Sequence, residues 1–363
     1  LPEYLAPGVF LDTAPSGPAP IEAVPTGTSG FVGVGADRAE AIPITSSEQV
    51  VESLGCGASD LLTSALHLFF LNGGERAWVT RVPSLDSRPL AVALESLARM
   101  SGVALTAIPE CAALDAAAHE AVVRLLLDHA ARTRRFAVVD PPLAADVASV
   151  LGLRSHLNSS FGALYWPSLR IDGPARDVPA SGAICGVYAR VDRERGVFRS
   201  PANEYVAGVT GLAATARPNE QSMLQAAGIN VIRSGPNGGI RLGGARTLAA
   251  ASDLQYVAVR RHLSMLQSSI ARGTRWAIYE RNDARLWREL RSRISEFLRW
   301  QFLDGALHGS TGAEAFFVRC DESTTSVDDR AAGIVVCVVG VALLRPSEFI
   351  TFRVAQATAP ATT

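Results

Sequence analysis

The chain contains no lysine: all 34 of its basic residues are arginine. A phosphate-binding loop of the Walker type needs a lysine to reach the phosphates, so that class is excluded. An excess of positive charge is missing too. The arginines face 35 Asp and Glu, for a formal net charge of −1. No broad basic surface for nucleic acid or an anionic membrane is expected. Cysteine is sparse: Cys56, Cys111, Cys185, Cys320 and Cys337 are odd in number, widely spaced and free of any CxxC pair. That pattern argues against a disulfide framework or a zinc ribbon and for buried free thiols from a reducing cytosol. The six histidines form no HExxH and no finger spacing, and no GxSxG elbow occurs. The longest apolar run, Ile334 to Leu344, is too short to span a bilayer as a helix. No basic segment precedes an apolar one in the manner of a secretory signal.

Two glycine-rich stretches invite a phosphate reading, and both fail it. Gly33-Val34-Gly35 lacks the third glycine of a dinucleotide fingerprint. Gly235 to Gly244 lies between two strand-like segments rather than before a helix, so a hairpin turn is expected there.

What is present is apolar and patterned. Hydrophobic residues make up 48% of 363 and charged residues 19%, the composition of a core-forming protein of two domains or of one large domain with an insertion. The organising stretch runs from Gly196 to Arg246. Pro201 and Pro218 each suit the first turn of a short helix, Gly228 suits a helix end, and Ile229 to Arg233 reads as a strand. Upstream, strands are expected at Gly30 to Val34 and Ala77 to Val82. Between them lie a short helix ending at Leu54 and a second one capped by Ser59 and closed by Asn72-Gly73-Gly74.

From about Pro83 to Ala180 strands and helices alternate. Val103 to Ile108, Phe136 to Val139 and Phe161 to Tyr165 are strand-like, while Ala116 to Arg132 and Ala144 to Leu151 are helical. This βαβαβ order predicts a small parallel sheet, placed as an insertion. Ala183 to Glu194 reads as a helix. Tyr256, Val259, Leu263, Leu266 and Ile270 then form one stripe of a long helix ending at Gly273. Thr274 to Tyr279 reads as a strand. Asn282-Asp283 caps a second long helix with Leu286, Leu290, Ile294 and Phe297 inward and Arg285, Arg288, Arg291 and Arg293 largely outward. Ala315 to Cys320 and Ile334 to Leu344 read as strands, the latter central and buried.

Five blocks, in order, resemble contractile phage-type tail sheath proteins: YLAPGVFLDTAPSGPAPIEAVPTGTSGFVG from Tyr4, LFFLNGGERAWVTRV, the organising stretch with GVFRSPANE, QAAGINVIRS and GGIRLGGARTL, the helical section from Tyr256 to Leu298, and AEAFFVRCDESTT with VALLRPSEFITFRV. Residues 82–183 carry little of the pattern. The resemblance implies a mixed α/β fold. A core domain would be built from residues 23–82 and 183–345, with an inserted peripheral α/β domain at 83–182. An N-terminal linking arm would occupy residues 1–22 and a C-terminal one residues 346–363. It implies that Val9, Phe10 and Leu11, and Phe349, Ile350, Phe352 and Val354, link neighbouring subunits by adding strands to a neighbour's sheet.

It further implies a mechanical role without cofactor, metal or catalysis. Subunits would stack as rings, expected to be hexameric, in a helical polymer around an inner tube. Baseplate and terminal cap proteins would complete the particle, which assembles in the bacterial cytoplasm and acts as part of a phage tail or a released tail-like particle. Contraction would increase contact between subunits. A segment matching a plausible tube contact is Ser326-Val327-Asp328-Asp329-Arg330, in which Asp328, Asp329 and Arg330 would meet charges on the tube; an acid-capped surface turn is the alternative. A different class altogether is an α/β enzyme or small-molecule-binding protein with its site in the middle domain, near Asp140 or Trp166, at the C-terminal ends of strands.

Overall fold

The strands expected to close a separate insertion instead fill the middle of one large sheet. A computed structural model describes residues 19–35, 38–55, 61–172, 176–235, 238–250 and 252–346. Ser59 and the arm residues Val9, Phe10, Leu11, Phe349, Ile350, Phe352 and Val354 lie outside them. The described residues divide into two units, 25–264 with 343–346 and 19–24 with 265–342.

In chain order the first unit contains β1 (Ser29–Val34), β2 (Arg38–Ile44), α1 (Glu48–Leu54), α2 (Leu61–Leu71), β3 (Ala77–Val82), α3 (Ser87–Arg99) and β4 (Leu105–Ala107). There follow α4 (Ala116–Thr133), β5 (Phe136–Val139), α5 (Val147–Ser155), β6 (Gly162–Trp166), β7 (Leu169–Ile171), β8 (Arg176–Val178) and α6 (Ser181–Arg195). It closes with β9 (Gly211–Leu212), α7 (Pro218–Ala226), β10 (Asn230–Ser234), β11 (Ile240–Leu242) and the start of α8 (Val257–Gly273).

The sheet order is β11-β10-β6-β5-β4-β1-β3-β2. From β10 to β3 all neighbours are parallel, and β11 and β2 close the two edges antiparallel. Parallel strands are covered on both faces, which explains why β4, β5 and β6 are buried at every residue. Successive side chains alternate between two cores. Phe31, Phe136, Val138 and Tyr165 pack with α2 and α6, whereas Val32, Ala137, Val139 and Trp166 pack with α3, α4 and α5. The strands from 83–182 thus share both cores with β1 and β3. The boundaries at 82 and 183 do not separate the fold, because an apolar buried strand says nothing about which sheet it joins.

The helices α2 and α6 meet backbone to backbone. A Cβ on Gly182 would lie 2.0 Å from the Ala65 carbonyl oxygen, and one on Gly186 would lie 2.3 Å from that of Phe69. Only glycine permits that approach. Farther along α6, Asp192 pairs with Arg261 of α8 at 2.5 and 3.0 Å, and both side chains are 5% exposed. Arg261 also donates to the Thr26 carbonyl at 3.0 Å and lies 4.7 Å over the Tyr188 ring.

The second unit holds the end of α8, then α9 (Ala284–Leu303), α10 (Gly312–Ala315), β12 (Phe316–Arg319), α11 (Val327–Ala331) and β13 (Val338–Val341). Asp283 caps α9 as expected, accepting from the Arg285 and Leu286 amides at 3.0 and 3.1 Å. Three expectations fail. Pro201 opens a turn in which Asn203 has φ of 65°, not a helix. Thr274 to Tyr279 contains a 3-10 turn at Arg275–Ala277, not a strand. The run from Ile334 contributes only the four residues of β13, half exposed, to a two-stranded sheet with β12. The sequence signal there was apolarity, and apolarity does not specify that the covering atoms belong to the same chain.

Candidate assembly surfaces

The segment Ser326 to Arg330 forms the N-cap and the first residues of α11 (Val327–Ala331). Arg330 lies 5.5 Å over the ring of Trp287, a buried residue of α9. Trp287 Nε1 donates to Asn282 Oδ1 at 2.8 Å, and Asn282 Nδ2 donates to the Ile334 carbonyl at 3.0 Å. The end of α11 and the loop after it are therefore tied to the start of α9. Its two acids differ in role. Asp329 Oδ2 accepts from the Ser326 amide at 3.0 Å and from its hydroxyl at 2.7 Å, which holds the carboxyl below the usual range. Asp328 is exposed.

Beside α11, the sheet of β12 and β13 has only two strands among the described residues. A two-stranded sheet is marginal alone and presents unpaired backbone groups along both outer sides. Phe317, Val338 and Ile334 are each more than two-fifths exposed on or next to it.

The base of the N-terminal arm is fixed within this same unit. The Val24 amide donates to Ser269 Oγ at 2.9 Å, Arg272 donates to the Glu22 and Ala23 carbonyls at 3.2 and 3.4 Å, and Arg293 donates to the Ala19 carbonyl at 3.2 Å. Ile21 is buried against Gly273, where a Cβ would come within 2.7 Å. Of the arginines expected to face outward on α9, Arg285 and Arg288 do, whereas Arg291 and Arg293 are partly covered. Sequence reading missed Ser269 and Arg272. A serine at a buried helical position was the available signal for the first. The base of the C-terminal arm belongs to the other unit, where Arg345 pairs with Asp253 at 2.6 Å.

Asp140 and Trp166, around which an enzymatic site was considered, are both interior. Asp140 Oδ1 accepts from the Ser181 amide at the start of α6 at 2.8 Å, and burial pushes its carboxyl up to about 7 against that bond. Trp166 Nε1 donates to the Ala145 carbonyl at 2.7 Å. Both act as ties between core elements. Among the described residues no helix is long and apolar enough to cross a membrane.

Two adjoining family regions match the chain: the phage tail sheath protein central domain over residues 93–248 and the phage tail sheath C-terminal domain over residues 249–357. Together they span well over half of the chain. The chain belongs to the phage tail sheath family. The central region begins inside the segment taken as an insertion, so that segment shares the family pattern. A putative prophage major tail sheath protein of Pseudomonas aeruginosa (strain UCBPP-PA14) is 29% identical over 65% of this chain and 62% of its own length. The chain thus aligns with less than two-thirds of that relative. In three dimensions it resembles the helical sheath of the anti-feeding prophage in its contracted state, at a TM-score of 0.82 and 26% identity over 98% of this chain and 100% of the other. It also resembles the sheath complex of PVC, an extracellular contractile injection system, in its contracted state, at a TM-score of 0.81 and 26% identity over 98% and 99%. The family is a structural one, and that membership decides against the enzymatic reading.

Proposed function

We propose that this chain is the repeating subunit of a contractile sheath, polymerised helically in stacked six-membered rings around an inner tube. The observation that carries the reading is the two-stranded sheet of β12 and β13, with apolar residues exposed beside it, in a chain with strand-forming segments at both ends. Residues 1–18, through Val9, Phe10 and Leu11, and residues 347–363, through Phe349, Ile350, Phe352 and Val354, reach neighbouring subunits and add strands to their β12–β13 sheets. Main-chain hydrogen bonds supply the affinity, and burial of Phe317 and Val338 adds to it.

The arms hold the lattice together while the bodies repack from an extended arrangement to a contracted one with more contact. The work comes from that difference in packing and needs no cofactor. Asp328 and Arg330 of α11 face the tube, where exposed charge pairs worth about 0–1 kcal/mol each add over many subunits yet still release. Baseplate and cap proteins close the ends. Assembly takes place in the bacterial cytoplasm, and the particle acts after release. The test is truncation. Chains lacking residues 1–18, or separately 347–363, should fold by circular dichroism and form no tubes under the electron microscope. Tubes of normal yield from either truncation contradict the linking role of that arm.

A further inference from the structure

In the antiparallel pair β12–β13, Arg319 stands opposite Val338. The next position in that register places Cys320 opposite Cys337, and Cys337 packs against the apolar cluster that holds Cys320. Residues directly opposite in an antiparallel pair have the Cα separation that a disulfide spans. Cys320 is fully buried against Leu286, Trp287 and Leu290, while Cys337 is half-buried and so reachable from solvent. The two cysteines also bracket residues 321–336, the segment that carries α11. The remaining described cysteines, Cys111 and Cys185, are buried, and burial pushes their thiols up.

We infer that Cys320 and Cys337 form a redox staple, a dithiol in reducing solution that a low-molecular-weight disulfide converts to an intrachain disulfide. The Cys337 thiolate attacks one sulfur of the oxidant, whose S–S bond breaks, releasing one small thiolate and leaving a mixed disulfide on Cys337. The Cys320 thiolate then attacks Cys337 Sγ and expels the second small thiolate. Two protein thiols are oxidised by two electrons, the oxidant is reduced to two thiols, and the two protein protons pass to the leaving thiolates. Cys320 suits the second step by its position opposite Cys337; burial raises its thiol, an effect that the Arg291 charge opposes, so this step too quickens as pH rises. Burial and the neighbouring Cys320 raise the Cys337 thiol, so the first step is slow near neutrality and quickens as pH rises. The product closes the loop that presents α11 and locks together the two strands that receive the arms. That consequence for assembly rests on the proposed function, whereas the chemistry does not.

The experiment uses the full chain with glutathione disulfide at pH 8.5, followed by non-reducing proteolysis and mass spectrometry. The expected result is a peptide linking Cys320 to Cys337, with loss of two of the five thiols. The rate should fall several-fold at pH 7.5, and the thermal midpoint should rise by about 5 °C over the reduced chain. Cys337→Ser, at a half-buried position, should keep its circular dichroism spectrum and lose both the linkage and the shift. A stable glutathione adduct on Cys337, a linkage to any other cysteine, or no linkage once a control dithiol peptide has fully oxidised overturns the inference. All of these readings are taken on the unassembled chain, so a failure to form tubes counts against the sheath proposal alone.

Discussion

Asp329 bonds back to Ser326 through both its amide and its hydroxyl, so the two adjacent acids of α11 have separate tasks. Asp329 builds the helix start, and Asp328 is the residue presented outward. Asp328→Arg should leave the fold intact and sharply lower the yield of extended, tube-filled particles when the chain is co-expressed with its tube and baseplate, while sheath-only polymer persists. Asp329→Ala should loosen the helix start, since it removes the acceptor of the Ser326 amide and hydroxyl while the residue 329 amide keeps its bond to Ser326 Oγ. Wild-type yields from Asp328→Arg remove α11 from the tube interface.

The pair of Asp192 and Arg261 is buried, and Arg261 keeps its charge whatever happens to its partner. Asp192→Ala leaves that charge uncompensated beside Tyr188 and should destabilise the larger unit by about 3–5 kcal/mol. Denaturant melts of wild type and variant measure this directly. A loss below about 1 kcal/mol means that the Thr26 carbonyl and the Tyr188 ring suffice to hold the guanidinium.

Two buried groups make opposing contributions to the pH dependence of stability. Burial raises Asp140 from its ordinary range to about 7. Its contribution is therefore full below about pH 4 and declines as pH rises to 7. Burial, together with the charges of Arg135 and Arg132, lowers His129 to about 4. Its contribution is full above about pH 6.5 and is lost as pH falls through 4. In the wild type the two slopes partly cancel between pH 4 and 7. Asp140→Asn keeps an acceptor for the Ser181 amide and removes one slope, so its stability relative to wild type should worsen steadily as pH falls across this window. Equal slopes for both proteins contradict the assignment.

Periodicity made much of the fold legible. The limits of α4 and β5 agree with the apolar spacing to within a residue or two, because each buries a regular set of side chains within its own chain. The inserted domain misled for the same reason: β4, β5 and β6 carry a parallel-sheet pattern that is identical whether they form their own sheet or join β1 and β3. The run at Ile334 also misled, since its apolar residues are left half exposed in the single chain. For the candidate surfaces, the α11 segment was singled out by the resemblance, while its residues alone equally allowed an acid-capped surface turn. The fixing of residues 19–24 by Ser269, Arg272 and Arg293 was not legible, because those bonds join positions about 250 residues apart.

The most direct test of the central claim is a helical reconstruction, by electron cryomicroscopy, of the polymer formed by the full chain. The account predicts a two-stranded sheet of β12 and β13 extended by strands from neighbouring subunits, with Val9 to Leu11 and Phe349 to Val354 traced into them. A polymer in which those sheets remain two-stranded and the arms fold back on their own subunits, or a chain that stays monomeric at high concentration, would contradict it.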